Sequence, residues 1–328
     1  MTIFVTGATG YLGNKLVHAL ADRSNVVHAL VRNSDDVSLT HANIKLFKGD
    51  IRDSRSINRA MKGCTQVYHA AAHVRLWEKD PAVIYDVNVT GTENILKACI
   101  QNQVDKMVFT STCGVIGPSD NTPSNENKKR SVDFKIDYDI TKKSAEDLVV
   151  AYSKKGLQAL IVSPSKIYGP GNVSHSLTAN AIIEKFLTKK IALVPLPGTY
   201  QVCFAYLDDV VQGHILAMEK GRSGEKYILG GINISYLDFF SKIRELSGCK
   251  GKIYEIPKSI IKAWASLQEL NQKITNRPIR FTSKSVDHLF SNYTFTSDKA
   301  IAELGYNVTP LDIALKNTVQ FLNKKRNE

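Results

Sequence analysis

Ile3-Phe4-Val5 runs directly into Thr6-Gly7-Ala8-Thr9-Gly10-Tyr11-Leu12-Gly13, and the reading of this junction decides the fold. A short apolar strand meets three glycines in the spacing GxxGxxG, and an apolar-periodic helix follows. Glycines there allow a tight turn and let the backbone approach a pyrophosphate, whose charge is met by amides at the helix N-terminus. A glycine-rich turn alone says little. A strand before it, a helix after it and further strand and helix alternation beyond make it a dinucleotide-binding loop. Gly7, Thr9, Gly10, Tyr11, Leu12 and Gly13 are therefore candidate cofactor contacts.

The alternation continues outward. Apolar runs at Val26 to Val31, Ile44 to Phe47, Val67 to Ala70, Lys106 to Thr110 and Ala159 to Val162 are separated by helical segments, the pattern of a parallel sheet covered on both faces. Asp80-Pro81 predicts the N-cap and first-turn proline of a long helix toward Gln103, and Gly156 the end of a helix that starts at Tyr138. Past Pro164 the pattern loosens, with one helix before Tyr200 and mainly helical sequence beyond Ile232, broken by a turn at Asn276-Arg277-Pro278. Tyr227-Ile228-Leu229 reads as a strand returning to the first sheet. The expectation is an α/β fold. A Rossmann-type doubly wound parallel sheet takes residues 1–164 plus about 202–231, and a smaller, mainly helical substrate lobe takes about 165–201 plus 232–328.

Composition narrows the function classes. The 328 residues, 43% of them apolar, suffice for a sizeable core. Five widely spaced cysteines form no CxxC or Cys/His cluster, which fits a reducing cytoplasm and no metal site. The start lacks a signal-peptide pattern, and no apolar run approaches the roughly 20 residues of a membrane span. The net charge of +12 comes from short scattered clusters such as Lys128-Lys129-Arg130 and Lys324-Lys325-Arg326. Without interleaved aromatic residues these read as solvated surface, and no nucleic-acid partner is expected.

Arg32 ends the second strand, where dinucleotide folds place an acid about 20 residues after the glycine loop. A guanidinium suits a 2′-phosphate and has no acceptor for a ribose hydroxyl. NADP(H) is therefore favoured; NAD(H) stays open through Asp35 or Asp36 should Arg32 be a plain strand-end residue. After the third strand, Asp50 is placed to accept from the adenine amino group and the Ile51 amide to donate to the ring. Ala70, Ala71 and Ala72 close the fourth strand with small side chains that let a cofactor lie against the sheet edge, beside a His69 read as packed.

Tyr138 and Lys142 form a YxxxK pair on one helical face. Two further matches fail on context, one inside the glycine loop and one interrupted by Pro257. A neighbouring ammonium lowers a phenol pKa toward working pH, so Tyr138 can exchange a proton with a substrate oxygen. Thr112 is the hydroxyl candidate that fixes that oxygen, and Thr110 at the same strand end is grouped with the cofactor contacts.

Together, Thr6 to Gly13, Gly49-Asp-Ile-Arg-Asp53, His69-Ala-Ala-Ala72, Asn88-Val-Thr-Gly-Thr92, the Tyr-x-x-Thr-Lys-x-x-Ala-Glu run ending at Glu146 and Tyr168-Gly-Pro-Gly171 resemble the extended short-chain dehydrogenases/reductases, the NAD-dependent epimerase/dehydratase family. Val108-Phe-Thr-Ser111 and His73 to Trp77 look closest to the dihydroflavonol 4-reductase-like branch. The resemblance implies that Thr112 stands for the usual serine, that Asn88, Pro164 and Ser165 border the nicotinamide, and that Asp208 and Asp209 join lobes. It also implies a monomer or a homodimer. Arg75, Trp77, Lys166, Tyr168, Tyr200 and Phe204 are candidate substrate-pocket residues.

The leading expectation is reduction of a ketone or aldehyde. A nucleotide-sugar epimerase or dehydratase is the alternative, but Ser163 and Lys166 stand where those relatives usually carry Arg and Asn. A non-catalytic dinucleotide sensor or nucleic-acid-binding protein is the remote third reading, opposed by the complete Thr, Tyr and Lys set.

Overall fold

The protein is described by a computed structural model that covers residues 1–328 except 36, 75–77, 79, 172–178, 276–281 and 328. Its strands in chain order are β1 (Thr2–Thr6), β2 (Val26–Val31), β3 (Ile44–Lys48), β4 (Gln66–His69), β5 (Lys106–Thr110), β6 (Ala159–Pro164), β7 (Lys166–Tyr168), β8 (Ile191–Pro195), β9 (Gln201–Tyr206), β10 (Lys226–Leu229), β11 (Ile232–Ser235) and β12 (Lys252–Ile256). The apolar runs of the first half thus became strands, two of them with the bounds expected. Every residue of β6 is buried, as a strand covered on both faces requires.

Seven strands form one parallel sheet in the order β10-β6-β5-β4-β1-β2-β3. Helices α1 (Tyr11–Ala21) and α2 (Ser54–Met61) precede a long helical stretch made of α3 (Pro81–Tyr85), one π turn over Asp86–Thr90 and α4 (Gly91–Gln101). The Asp80 carboxylate accepts from the Ala82 amide at 3.0 Å, the cap its position predicted. Then come α5 (Asp137–Ser153), α6 (Ala179–Lys189), α7 (Leu207–Lys220), α8 (Tyr236–Ser247), α9 (Lys258–Thr275), α10 (Ser283–Leu289), α11 (Asp298–Leu304) and α12 (Leu311–Asn327). One face of the sheet packs Leu16, Val210 and Leu304 from α1, α7 and α11, and the other packs Ile57, Ile95 and Val149 from α2, α4 and α5. All five cysteines are buried and free.

The second lobe differs from the expectation in two places. Residues 202–206, expected with the large sheet, belong to β9, which pairs with β7 and β11 in a separate three-stranded sheet. Residues 298–306, expected with the substrate lobe, instead bury Ala300, Leu304 and Tyr306 in the large domain's core. The reason is connectivity: the chain crosses back to the large sheet at α7 and β10, and α11 covers that added strand. A two-stranded ribbon, β12-β8, completes the lobe. Its core is aromatic, with Phe204 stacked on Phe239 at 3.9 Å and Phe186 edge-on to Phe240. The turn expected at 276–278 lies outside the described residues. Among the described residues no helix is long and apolar enough to cross a membrane.

Candidate active site

The strand order reverses between β1 and β4, and the crevice at the carboxyl ends of these strands is where doubly wound sheets take their ligand. Gly7 sits there with φ +75°, and a Cβ on it would fall 2.6 Å from the Ala71 nitrogen and 2.7 Å from the Ala70 carbonyl carbon. A Cβ on Gly13 would stand 2.1 Å from the Gly7 oxygen. Glycine is required at both positions by backbone approach alone. Gly10 begins α1 without a side-chain cap, and the first turn holds no acid. Its amides are thus left to an external anion. This cradle fits the pyrophosphate of a dinucleotide. Tyr11 is otherwise employed: its hydroxyl donates to the Gly169 carbonyl at 2.6 Å and accepts from Asn180, tying the loop to the second lobe.

Around the crevice the expected residues fall in sequence. Ala70, Ala71 and Ala72 line its edge half-buried, Thr9 is exposed and Leu12 half-buried. Arg32 directly follows β2 and is exposed, with no hydrogen bond or ion pair among the described residues. Asp35 lies exposed beside it; Asp36 is outside the described residues. Arg52 engages both Asp50 oxygens, at 3.0 and 2.8 Å, and holds that carboxyl below the usual range. Ile51 is buried against Gly91.

His69 is a buried structural link. Thr92 donates to the Asn88 carbonyl, so its oxygen accepts from His69 Nε2 at 3.0 Å, while Nδ1 lies 2.6 Å from the Thr6 hydroxyl. Burial drives its pKa down to about 3, which keeps the ring neutral. The same π turn presents Asn88, whose amide oxygen accepts from the His73 amide at 2.7 Å and whose nitrogen donates to Thr141 Oγ1 at 3.0 Å. Thr141 in turn donates to the Tyr138 carbonyl. Asn88 therefore fixes the helix turn that carries Tyr138.

Tyr138 and Lys142 lie one turn apart on α5. Lys142 is 1% exposed, its ammonium donating to the Thr110 carbonyl at 2.6 Å and lying 4.0 Å from the centre of the Phe109 ring. Burial draws its pKa down to about 7, against a smaller upward pull from Glu146. Burial pushes the Tyr138 phenol up, and its hydroxyl has no hydrogen-bond partner among the described residues. Thr112 accepts from the Gly114 amide at 3.1 Å and retains its own proton to donate. The turn after Thr112 packs on α5, where a Cβ on Gly114 would meet Asp139 at 2.4 Å. Thr110 turns its hydroxyl toward His214 Nε2, 2.9 Å away, so only its carbonyl faces Lys142. Pro164 and Ser165 follow at the carboxyl end of β6, beside β5.

Sequence reasoning gave Glu146 no role. It is 3% exposed, accepts from the Ser111 hydroxyl at 2.6 Å and pairs with Lys226 of β10. The signal was present in the i, i+4, i+8 spacing of Tyr138, Lys142 and Glu146 on one helical face. Nothing in the sequence pointed to the partners Ser111 and Lys226.

On the substrate side, Tyr168 and Phe204 are 1% and 3% exposed in the aromatic core, so they shape the lobe from within and leave little ring surface for a ligand. Tyr200 is half-buried, edge-on to Phe290. The Lys166 ammonium stands 5.6 Å from the Tyr236 ring centre and 5.9 Å from that of Phe204. Arg75 and Trp77 lie outside the described residues. Asp208 pairs with Lys15 at 2.5 Å, and Asp209 accepts from the Thr309 amide and hydroxyl, linking α7 to its neighbours.

A glycine cradle at the sheet's switch point and a Tyr/Lys helix beside it define a nicotinamide-dependent oxidoreductase fold. The family model of the NAD dependent epimerase/dehydratase family matches residues 3–230, and the chain belongs to that family, within the extended short-chain dehydrogenases/reductases. It is similar to sterol demethylase protein B of Methylococcus capsulatus, 32% identical over 99% of both chains. A Synechocystis protein provisionally named dihydroflavonol 4-reductase is 29% identical over 97% of this chain and 93% of its own. A 4-hydroxy-2-methyl-3-oxo-4-farnesyl-3,4-dihydroquinoline-1-oxide ketoreductase of Stigmatella aurantiaca is 30% identical over 93% and 92%. The solved UDP-glucose 4-epimerase of Thermotoga maritima with UDP-glucose shares the fold at TM-score 0.82 and 23% identity, covering 99% of this chain and all of that one.

Proposed function

We propose that this protein is an NADP(H)-dependent reductase of a non-nucleotide ketone or aldehyde, or of the matching alcohol in reverse. The observation that carries the reading is the enclosed Lys142 ammonium one helical turn from a Tyr138 hydroxyl that no described side chain engages. Gly7, Gly10 and Gly13 would hold the pyrophosphate, Arg32 the 2′-phosphate, Asp50 and Ile51 the adenine, and Lys142 the ribose beside the nicotinamide. The bound cofactor supplies hydride to the carbonyl carbon. Tyr138 donates the proton to the carbonyl oxygen, and Thr112 orients that oxygen with its free hydroxyl hydrogen. Asn88 keeps the Tyr138 turn in place through Thr141.

The substrate reading rests on Ser163 and Lys166 replacing the Arg and Asn usual in nucleotide-sugar relatives, and on curated relatives named for sterol and prenylated-quinoline chemistry. Residues 1–164, 207–231 and 298–306 would form the cofactor domain. A panel of carbonyl compounds with NADPH, run beside UDP- and dTDP-sugars, tests the proposal. Turnover of a carbonyl compound is expected; micromolar sugar-nucleotide binding with epimerised or dehydrated product overturns it.

A further inference from the structure

The 18 residues of α9, from Lys258 to Thr275, sort into three arcs at 100° per residue. Ala265 is fully buried against Val286 and Phe290, with Ile261 beside it. Lys258, Lys262 and Glu269 occupy the next arc. The third, about 120° wide, holds Ile260, Ala263, Trp264, Leu267 and Leu270 and carries no charge. Ile260, Trp264, Leu267 and Leu270 are 58%, 48%, 64% and 58% exposed. A surface helix ordinarily buries its apolar stripe and turns charge to water. This one buries one stripe and exposes a second. The ribbon that leads into it through Ile256 and Pro257 also turns Leu193 and its register partner Tyr254 outward, 60% and 45% exposed.

Charge decides what meets this face. Lys189, Lys190, Lys252, Lys258 and Lys262 lie on or beside these elements. Asp287 is already shared by Lys135, Lys258 and Lys262, Glu255 accepts from the Gly198 amide and Glu269 from Ser283. A second copy of a +12 chain would set lysine against lysine. Anionic headgroups complement the lysines, and acyl chains take the apolar arc together with an interfacial tryptophan. We propose that α9 is an interfacial helix by which this protein docks peripherally on an anionic phospholipid surface.

Vesicles of phosphatidylcholine with phosphatidylglycerol, and of phosphatidylcholine alone, are sedimented with the full chain at low and high salt. Binding to the anionic vesicles that weakens in salt is expected. Trp264 is the sole tryptophan in a Trp77→Phe background, since the chain has two, and its emission should shift blue and be quenched by brominated lipid. A Leu267→Glu, Leu270→Glu double variant, checked for folding by circular dichroism, should lose at least roughly tenfold in vesicle binding. Three results would overturn the proposal: no association with anionic vesicles, equal association with neutral ones, or a dimer in ultracentrifugation that the double variant dissociates while vesicle binding is unchanged.

Discussion

The large sheet and the small lobe bury different things. In the large domain three buried polar groups beneath the crevice are held by named partners: His69 between Thr6 and Thr92, Lys142 on the Thr110 carbonyl, Glu146 between Ser111 and Lys226. In the small lobe the centre is a set of rings, with Tyr168 and Phe239 in contact and Phe239 flat on Phe204. A partnered polar network specifies one geometry because any other leaves a buried group unsatisfied, whereas ring packing tolerates adjustment. On the proposed function the first region holds the reacting atoms and the second gives the pocket its shape. Four substitutions test that division.

Phe239→Ala should have the largest effect. It removes a ring that is 2% exposed and stacked, at a cost of about 3–5 kcal/mol in stability. If the division holds, the folded variant still binds NADPH within about twofold of wild type, as isothermal titration would show. An equal loss of cofactor affinity would mean that the lobes are mechanically one.

Tyr138→Phe is the complementary cut. Turnover is expected to fall at least ~100-fold, the scale of a lost general acid, with thermal stability and cofactor affinity retained. Near-normal turnover would remove Tyr138 from the mechanism.

The sequence made the two regions unequally legible for the same physical reason. Parallel strands buried on both faces must be continuous apolar runs, so Val26–Val31 and Lys106–Thr110 announce themselves with their bounds. The glycine loop and the Tyr138 to Lys142 spacing are local as well. The three-stranded sheet β11-β9-β7 is assembled from segments about 30 to 40 residues apart with short, mixed pairings, and no local period encodes that. The same holds for Glu146, whose partner Lys226 is 80 residues away, and for Thr110 with His214, 104 residues apart. The π turn that aims Asn88 lay hidden inside a segment that otherwise reads as one helix.

Arg32→Ala sharpens the contrast at the crevice mouth, where the guanidinium proposed to hold the 2′-phosphate is exposed. NADPH binding should weaken by about 1.5–3 kcal/mol, the scale of a charge-assisted hydrogen bond, and NADH binding should hardly change. Titration of both cofactors measures it. A wild type that already prefers NADH would show that the strand-end guanidinium has no part in cofactor choice.

Lys142→Met carries the smallest thermodynamic effect and the most specific sign. In the unfolded chain this lysine titrates near its ordinary value of about 10.5, while in the folded protein burial draws it down to about 7. Between these limits the unfolded state holds one proton more than the native state, so the lysine makes stability rise with pH. Below about 7 both states are charged and the cost of enclosing the ammonium is constant. The slope is at most about 1.4 kcal/mol per pH unit, so the change across pH 7.5 to 9.5 is at most about 3 kcal/mol. The raised Tyr138 phenol acts only above about 10, outside this window. Denaturant unfolding at several pH values should therefore show Lys142→Met more stable than wild type at pH 7.5, with the gap closing toward pH 9.5. A gap that is constant or widens with pH would mean that the ammonium is stabilised where it sits.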